Sequence, residues 1–134
     1  MLRTLYRAIC FCTDRAESCE KLVFFEVEPS DSPVKKLVTL MMEVWGVPAS
    51  AIGYYNISTE DELHQQSISR NENSTPTYNT VEYERQLLEI GYSSNGRRIY
   101  PALSDWPIML VSPRTHDRLV KALLSLEKRE AVYG

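Results

Sequence analysis

Three cysteines and two histidines are the side chains of this 134-residue chain best suited to nucleophilic, redox or metal chemistry. All three cysteines fall within "CFCTDRAESC", residues 10–19. Cys10, Cys12 and Cys19 could hold zinc, close a Cys12–Cys19 disulfide, or supply a nucleophilic thiol. The spacing argues against each. Structural zinc sites favour paired C-x2-C knuckles, and a fourth ligand would have to come from His64 or His116. Disulfides belong to oxidising compartments, and an odd cysteine count leaves one thiol over. The expectation is that Cys10 and Cys12 are mostly buried and that Cys19 is a surface thiol.

His116 stands beside Asp117, near Ser112, in the first turn of an expected helix, where the helix dipole disfavours a protonated imidazole. Adjacent residues on a helix do not face each other, and no G-x-S-x-G elbow is present. His64 follows Glu60 and Asp61, which reads as a solvated acidic turn. The sequence holds no glycine-rich phosphate loop, H-E-x-x-H or EF-hand pattern. No metal and no cofactor are expected, and the chain is read as non-catalytic. A small thiol- or histidine-dependent enzyme is the alternative.

A different set of residues suits recognition. "GYSSNGRRIYPALSDW", residues 91–106, gathers Tyr92, Arg97, Arg98, Tyr100 and Trp106 around an Asn-Gly turn. Tyr, Trp and Arg dominate the energetics of protein interfaces. The same types could stack and hold single-stranded nucleic acid, a further alternative. Tyr54 and Tyr55 are adjacent on an expected strand, so they cannot both face inwards. With the acidic Glu60, Asp61 and Glu62, these residues form the expected partner-binding set.

These side chains must be positioned by a small globule. Composition is 43% apolar and 25% charged, as in an ordinary folded domain. The length suits one domain spanning 1–134. No apolar run approaches the ~20 residues of a membrane span, and no signal peptide is read at the N-terminus, so the location is read as cytoplasmic with no membrane partner. Net charge is −3, which disfavours bulk binding to nucleic acid. The charge is uneven: up to Glu89 there are 14 acids against 8 bases, and from Ile90 onward 4 against 7.

Alternation predicts strands over 2–12 and 21–28, joined as a hairpin. Tyr6, Ala8, Cys10 and Cys12 share one face with Val23, Phe25 and Val27; Leu5, Arg7, Ile9 and Phe11 share the other with Leu22 and Phe24. Ser32-Pro33 is a helix start, and Gly46 with Pro48 a stop. Between them Val34, Leu37, Val38, Met41, Val44 and Trp45 form a helical stripe. Residues 52–57 read as a short strand and 65–79 as an exposed loop. A helix is expected from about Asn79, as cap, to Gly91, and "PIMLV", 107–111, as a central strand covered on both faces. Ser112-Pro113 opens a last helix to about Arg129, with Leu119, Val120, Leu123 and Leu126 on one side. That helix is the expected cover for the Leu22/Phe24 face.

"FEVEPSDSPVKKLVTLMMEVWGVPASAIGYYN" resembles the ubiquitin-like pattern of a strand ending in "EVEPSD", an amphipathic helix, "GIP" and a short strand. The matching pieces are Glu26–Asp31, Gly46-Val47-Pro48 and Ile52–Tyr55, and the resemblance covers residues 3–57. It implies a β-grasp arrangement in which the last strand lies parallel beside the first. The chain ends "AVYG" rather than in a Gly-Gly tail, so conjugation is not implied. The expected architecture is α+β: a mixed, β-grasp-like sheet of four or five strands with a packed central helix and an added C-terminal helix. The expected function is protein–protein interaction by a monomer or homodimer. Its concrete form is a small acidic inhibitor or adaptor that binds a basic surface of a nucleic-acid-binding enzyme.

Overall fold

The structure, a computed structural model, describes residues 3–13, 20–62, 68–69, 77–78, 80–101 and 107–133. Strand β1 (Thr4–Cys12) pairs antiparallel with β2 (Lys21–Val27) in the register Tyr6↔Phe25 and Ala8↔Val23. That register puts apolar side chains on both faces. Val23, Phe24 and Phe25 all lose their entire solvent exposure. A strand pair of this kind is stable only when both faces are covered.

Helix α1 (Pro33–Trp45) covers the first face. Its first turn is held by Ser32, whose hydroxyl accepts from the Lys35 amide at 3.3 Å, and Pro33 follows at the position where no N–H is needed. Gly46 ends it at φ 65°, with its amide donating to the Met42 carbonyl at 2.8 Å. A left-handed residue here suits glycine because no Cβ opposes the turn. Leu37 and Met41 are fully buried against Ala8, Cys10, Val23, Phe25 and Val27, with Val38, Met42 and Trp45 half-buried around them. Val34 and Val44, expected in the buried stripe, are exposed. The buried stripe is narrower than expected, with Leu37 and Met41 at its centre and Val38 and Trp45 at its margins.

A short 3-10 turn (Ala49–Ala51) leads into β3 (Ile52–Thr59), which pairs antiparallel with the other side of β1. A helical turn at 60–62 follows, started by Thr59, whose hydroxyl accepts from the Glu62 amide. Within the segment expected to be an exposed loop, β4 (Ile68–Ser69) and β5 (Thr77–Tyr78) form a two-stranded ladder; the rest of that segment lies outside the described residues.

Helix α2 (Thr80–Leu88) and a hairpin of β6 (Gly91–Tyr92) and β7 (Arg98–Ile99) come next. The helix stops at Leu88, short of Gly91, which instead opens the hairpin. The hairpin turns through Ser93–Gly96, as the Asn-Gly pair predicts. Strand β8 (Ile108–Leu110) and helix α3 (Pro113–Tyr133) complete the chain. Ser112 accepts from the Thr115 amide at the start of α3, and its own amide donates to the Glu26 carboxylate.

The main sheet has the order β3-β1-β2-β8. β8 runs parallel to β2, with Val23↔Ile108 and Phe25↔Leu110 as partners. This corrects two expectations. The last strand does not lie beside β1, because β2 and β3 already occupy both of its edges, and it is terminal in the sheet rather than central. The strand order thus departs from the β-grasp layout. The architecture is α+β with a mixed four-stranded main sheet.

The second face is covered as the phenylalanine pair requires. Leu119, Leu123 and Leu126 of α3, with Tyr83, Leu87 and Leu88 of α2, bury Leu5, Ile9, Leu22 and Phe24. Val120 is half-buried. Burying a large apolar side chain contributes about 1.5–3 kcal/mol, so the two helices recover what a bare face would lose. The result is three layers: α1, sheet, and α2 with α3.

Candidate functional site

β3 ends the sheet on one side, and among the described residues no strand pairs with its outer edge. Its first half carries Gly53, Tyr54 and Tyr55 opposite Phe11, Cys10 and Ile9. Register therefore places Tyr54 on the α1 face and Tyr55 on the α2/α3 face. Each is more than a third exposed. The Tyr55 ring lies 6.2 Å from that of Phe11. Burial and a hydrogen bond with Glu20 raise the Tyr55 phenol above its ordinary range.

The pairing then slips. Between Tyr55 and Ser58 the strand fits both Asn56 and Ile57 where β1 has Ala8 alone, and Asn56 takes φ 55°. Asn enters this left-handed region at lower cost than most residues. The bulge splits the strand's roles: Ile57 packs with the α1 core, whereas Asn56 lines a cleft on the opposite side.

That cleft is built around Arg7. Arg7 stands on an apolar strand face between Leu5 and Ile9 and is only 7% exposed. Its Nη1 donates to the Gln86 carbonyl at 3.2 Å and its Nη2 to the Glu89 carbonyl. A strand side chain thus satisfies one carbonyl in the last turn of α2 and one just beyond it, where a cation also meets the negative end of the helix dipole. Burial lowers the Arg7 pKa to about 10, with Glu89 and Tyr55 pulling it back up. The guanidinium remains charged at neutral pH. The Glu89 carboxylate, itself 8% exposed, lies 3.7 Å from Arg98 of the hairpin. Tyr100 hydrogen-bonds to Arg98 and packs on the α2/α3 core, and burial outweighs Arg98 in raising its phenol.

The expected binding set is therefore divided by the fold. Tyr54, Tyr55 and Tyr92 are exposed; Tyr92 shows 61% of its surface and stands at the rim of the Arg7 cleft with Asn56. Arg97 is exposed, while Arg98 and Tyr100 are engaged in holding the hairpin. Trp106 lies outside the described residues. Glu60 accepts from Tyr83 at 2.6 Å and from both terminal nitrogens of Arg118, tying the end of β3 to α2 and α3. Arg118 is held above its ordinary range chiefly by that bond. Asp61 and Glu62 are exposed.

Cys10 and Cys12 are buried, and burial pushes the Cys10 thiol up to about 12, so it stays protonated. A thiol in that state is a poor nucleophile. Cys19 and His64 lie outside the described residues. His116 is exposed, with its Nδ1 3.9 Å from Asp117. Among the described residues no three His, Cys, Asp or Glu side chains converge as a metal site. No helix among them is long and apolar enough to cross a membrane.

Sequence reasoning missed Arg7, Asn56, Ser58, Gln86 and Glu89. A signal existed for Arg7 alone, as a charge set between Leu5 and Ile9 on an apolar strand face. No protein-family model, no curated protein and no solved structure matches this chain.

Proposed function

We infer that the chain is a non-catalytic protein-interaction module that docks its partner on the outer edge of β3. The observation that carries this reading is the position of β3 at the sheet's end with Tyr54 and Tyr55 exposed on its two faces. An extended segment of a partner adds to such an edge through main-chain hydrogen bonds, and alternate side chains on each face set the specificity. Tyrosine suits both roles because it buries much area with little loss of freedom. The bulge at Asn56 limits the usable edge to residues 52–55, which favours a short segment.

Glu20, which reaches Tyr55 from the β2 side, and the exposed pair Asp61 and Glu62 just after β3 put negative charge near this strand. They support the narrower version, an acidic inhibitor or adaptor for a basic surface such as that of a nucleic-acid-binding enzyme. The ubiquitin-like resemblance of residues 3–57 is not needed for either version.

The test is capture of partners from the native host with the wild-type chain and with a Tyr54→Ala/Tyr55→Ala variant, followed by calorimetry on the purified partner. Loss of about tenfold or more in affinity supports docking on β3. Undiminished binding by the variant removes that surface. Affinity that does not fall with added salt removes the acidic version while leaving the docking surface standing.

A further inference from the structure

The cleft beside Arg7 has a volume of about 260 Å³ and polar walls. Asn56 and Ser58 of β3 form one wall, Gln86 and Glu89 of α2 and its C-terminal extension another, and Tyr92 the rim. Ser58 sits directly opposite Arg7 in the β1–β3 register. Arg7 uses one N–H each from Nη1 and Nη2 on backbone carbonyls, and a guanidinium has five such donors. Among the described residues its Nε has no partner, although the side chain is nine-tenths buried.

Among the described residues that line the cleft, Glu89 is the acid and Arg7 the base, and the Glu89 carboxylate also lies 3.7 Å from Arg98. Nearly buried cations are ordinarily matched by anions or fully hydrogen-bonded, because desolvating a charge without compensation is costly. Among the described residues the hydrogen bonds of Arg7 go to neutral carbonyls, and Glu89 acts on it through space. The unused N–H groups of a guanidinium form a planar fork that fits a carboxylate. Asn56 and Ser58, which line the cleft, carry an amide and a hydroxyl able to donate to the same group. Glu89 in the wall repels every anion, and a doubly charged phosphate more strongly than a singly charged carboxylate.

We propose that the Arg7 cleft is a carboxylate-binding site, seating one singly charged carboxyl group against Arg7 between Asn56, Ser58 and Gln86. The site stands independently of what docks on β3. The carboxyl group belongs either to a small free acid or to an acidic side chain of a polypeptide, and the two are separable.

The test is NMR of the isolated full chain, labelled to show the Arg7 Nε–H and the Asn56 and Gln86 side-chain amides, at constant ionic strength. Acetate, a blocked glutamate (acetylated and amidated) and inorganic phosphate are titrated against a chloride background. Acetate is expected to shift these signals saturably, with a Kd of order millimolar. Equal affinity for acetate and blocked glutamate assigns a free acid; tenfold tighter binding of blocked glutamate assigns a polypeptide side chain. Ser58→Asp places a carboxylate opposite Arg7 and is expected to weaken acetate binding about tenfold or more without unfolding the chain. Arg7→Lys, which loses the fork, is expected to weaken it severalfold. The proposal is overturned by acetate shifts that do not saturate up to about 100 mM, by phosphate binding more tightly than acetate, or by undiminished binding to Ser58→Asp.

Discussion

The tip of the Phe11 ring lies over the backbone of Gly53, its cross-strand partner on β3, so closely that a Cβ built on Gly53 would clash with the ring's Cζ. Any side chain at 53 would therefore displace the ring. An aromatic ring covers the bare backbone and shields that point of the edge strand from water.

Gly53→Ala is expected to turn the Phe11 ring aside and destabilise the chain by about 1 kcal/mol, the low end of the range for added volume, because the ring is half-buried and can move. Phe11→Ala alone loses the ring's burial. The double variant should cost less than the two added together, because the added methyl group then meets no ring. Urea denaturation of the four proteins measures the coupling. Strict additivity would show that the ring and glycine are not in contact.

Arg7→Met removes both donors from the carbonyls of Gln86 and Glu89. Each unsatisfied buried group costs about 1–3 kcal/mol, so a loss of about 2–6 kcal/mol is expected. Hydrogen exchange should speed up first at the end of α2 and in the β6–β7 hairpin. Uniform acceleration across the sheet would assign Arg7 a global role instead.

The Cys10 thiol shifts from an ordinary 9.0 to about 12 through burial. The folded state thus keeps its proton where the unfolded chain has lost it. Its stabilising contribution is complete below pH 9 and is lost as pH rises from 9 towards 12, at about 1.4 kcal/mol per pH unit. Chemical denaturation of the wild type and Cys10→Ala across that window should give slopes differing by this amount. Parallel slopes would place the ionisation elsewhere.

Phe24 and Phe25 are adjacent, both fully buried, and belong to different cores. Truncating either to Ala should cost about 3–5 kcal/mol. The structural response should differ: Phe24→Ala loosens α2 and α3, whereas Phe25→Ala loosens α1. Amide exchange helix by helix distinguishes them, and identical patterns would contradict separate layers.

Most of the local structure was readable in the sequence because its causes are local. Ser32-Pro33 and Ser112-Pro113 start helices through groups only a few residues away. The Phe24–Phe25 pair demands cover on both faces whatever supplies it. Competition between distant segments was not readable. "PIMLV" is apolar enough for a central strand, yet its place depends on β1 having both edges taken by β2 and β3. The bulge at Asn56 arises from a register slip that no spacing in residues 52–57 announces. The Arg7 cleft was hidden for the same reason: its partners are backbone carbonyls some eighty residues away, |i−j| being 79 and 82, and carbonyls leave no mark in a sequence.

The parallel joining of β8 to β2 also orders events in time. Residues 4–59 supply three strands and α1, a sheet with one face dressed and the other bare. Leu5, Ile9, Leu22 and Phe24 wait for residues 83–126 before they are enclosed. During synthesis, at ~5–20 residues per second, the nascent chain displays that apolar face for several seconds. Until those residues are made, that face is open to non-native contacts, so the exposure of this chain to aggregation lies in its synthesis rather than in its finished fold.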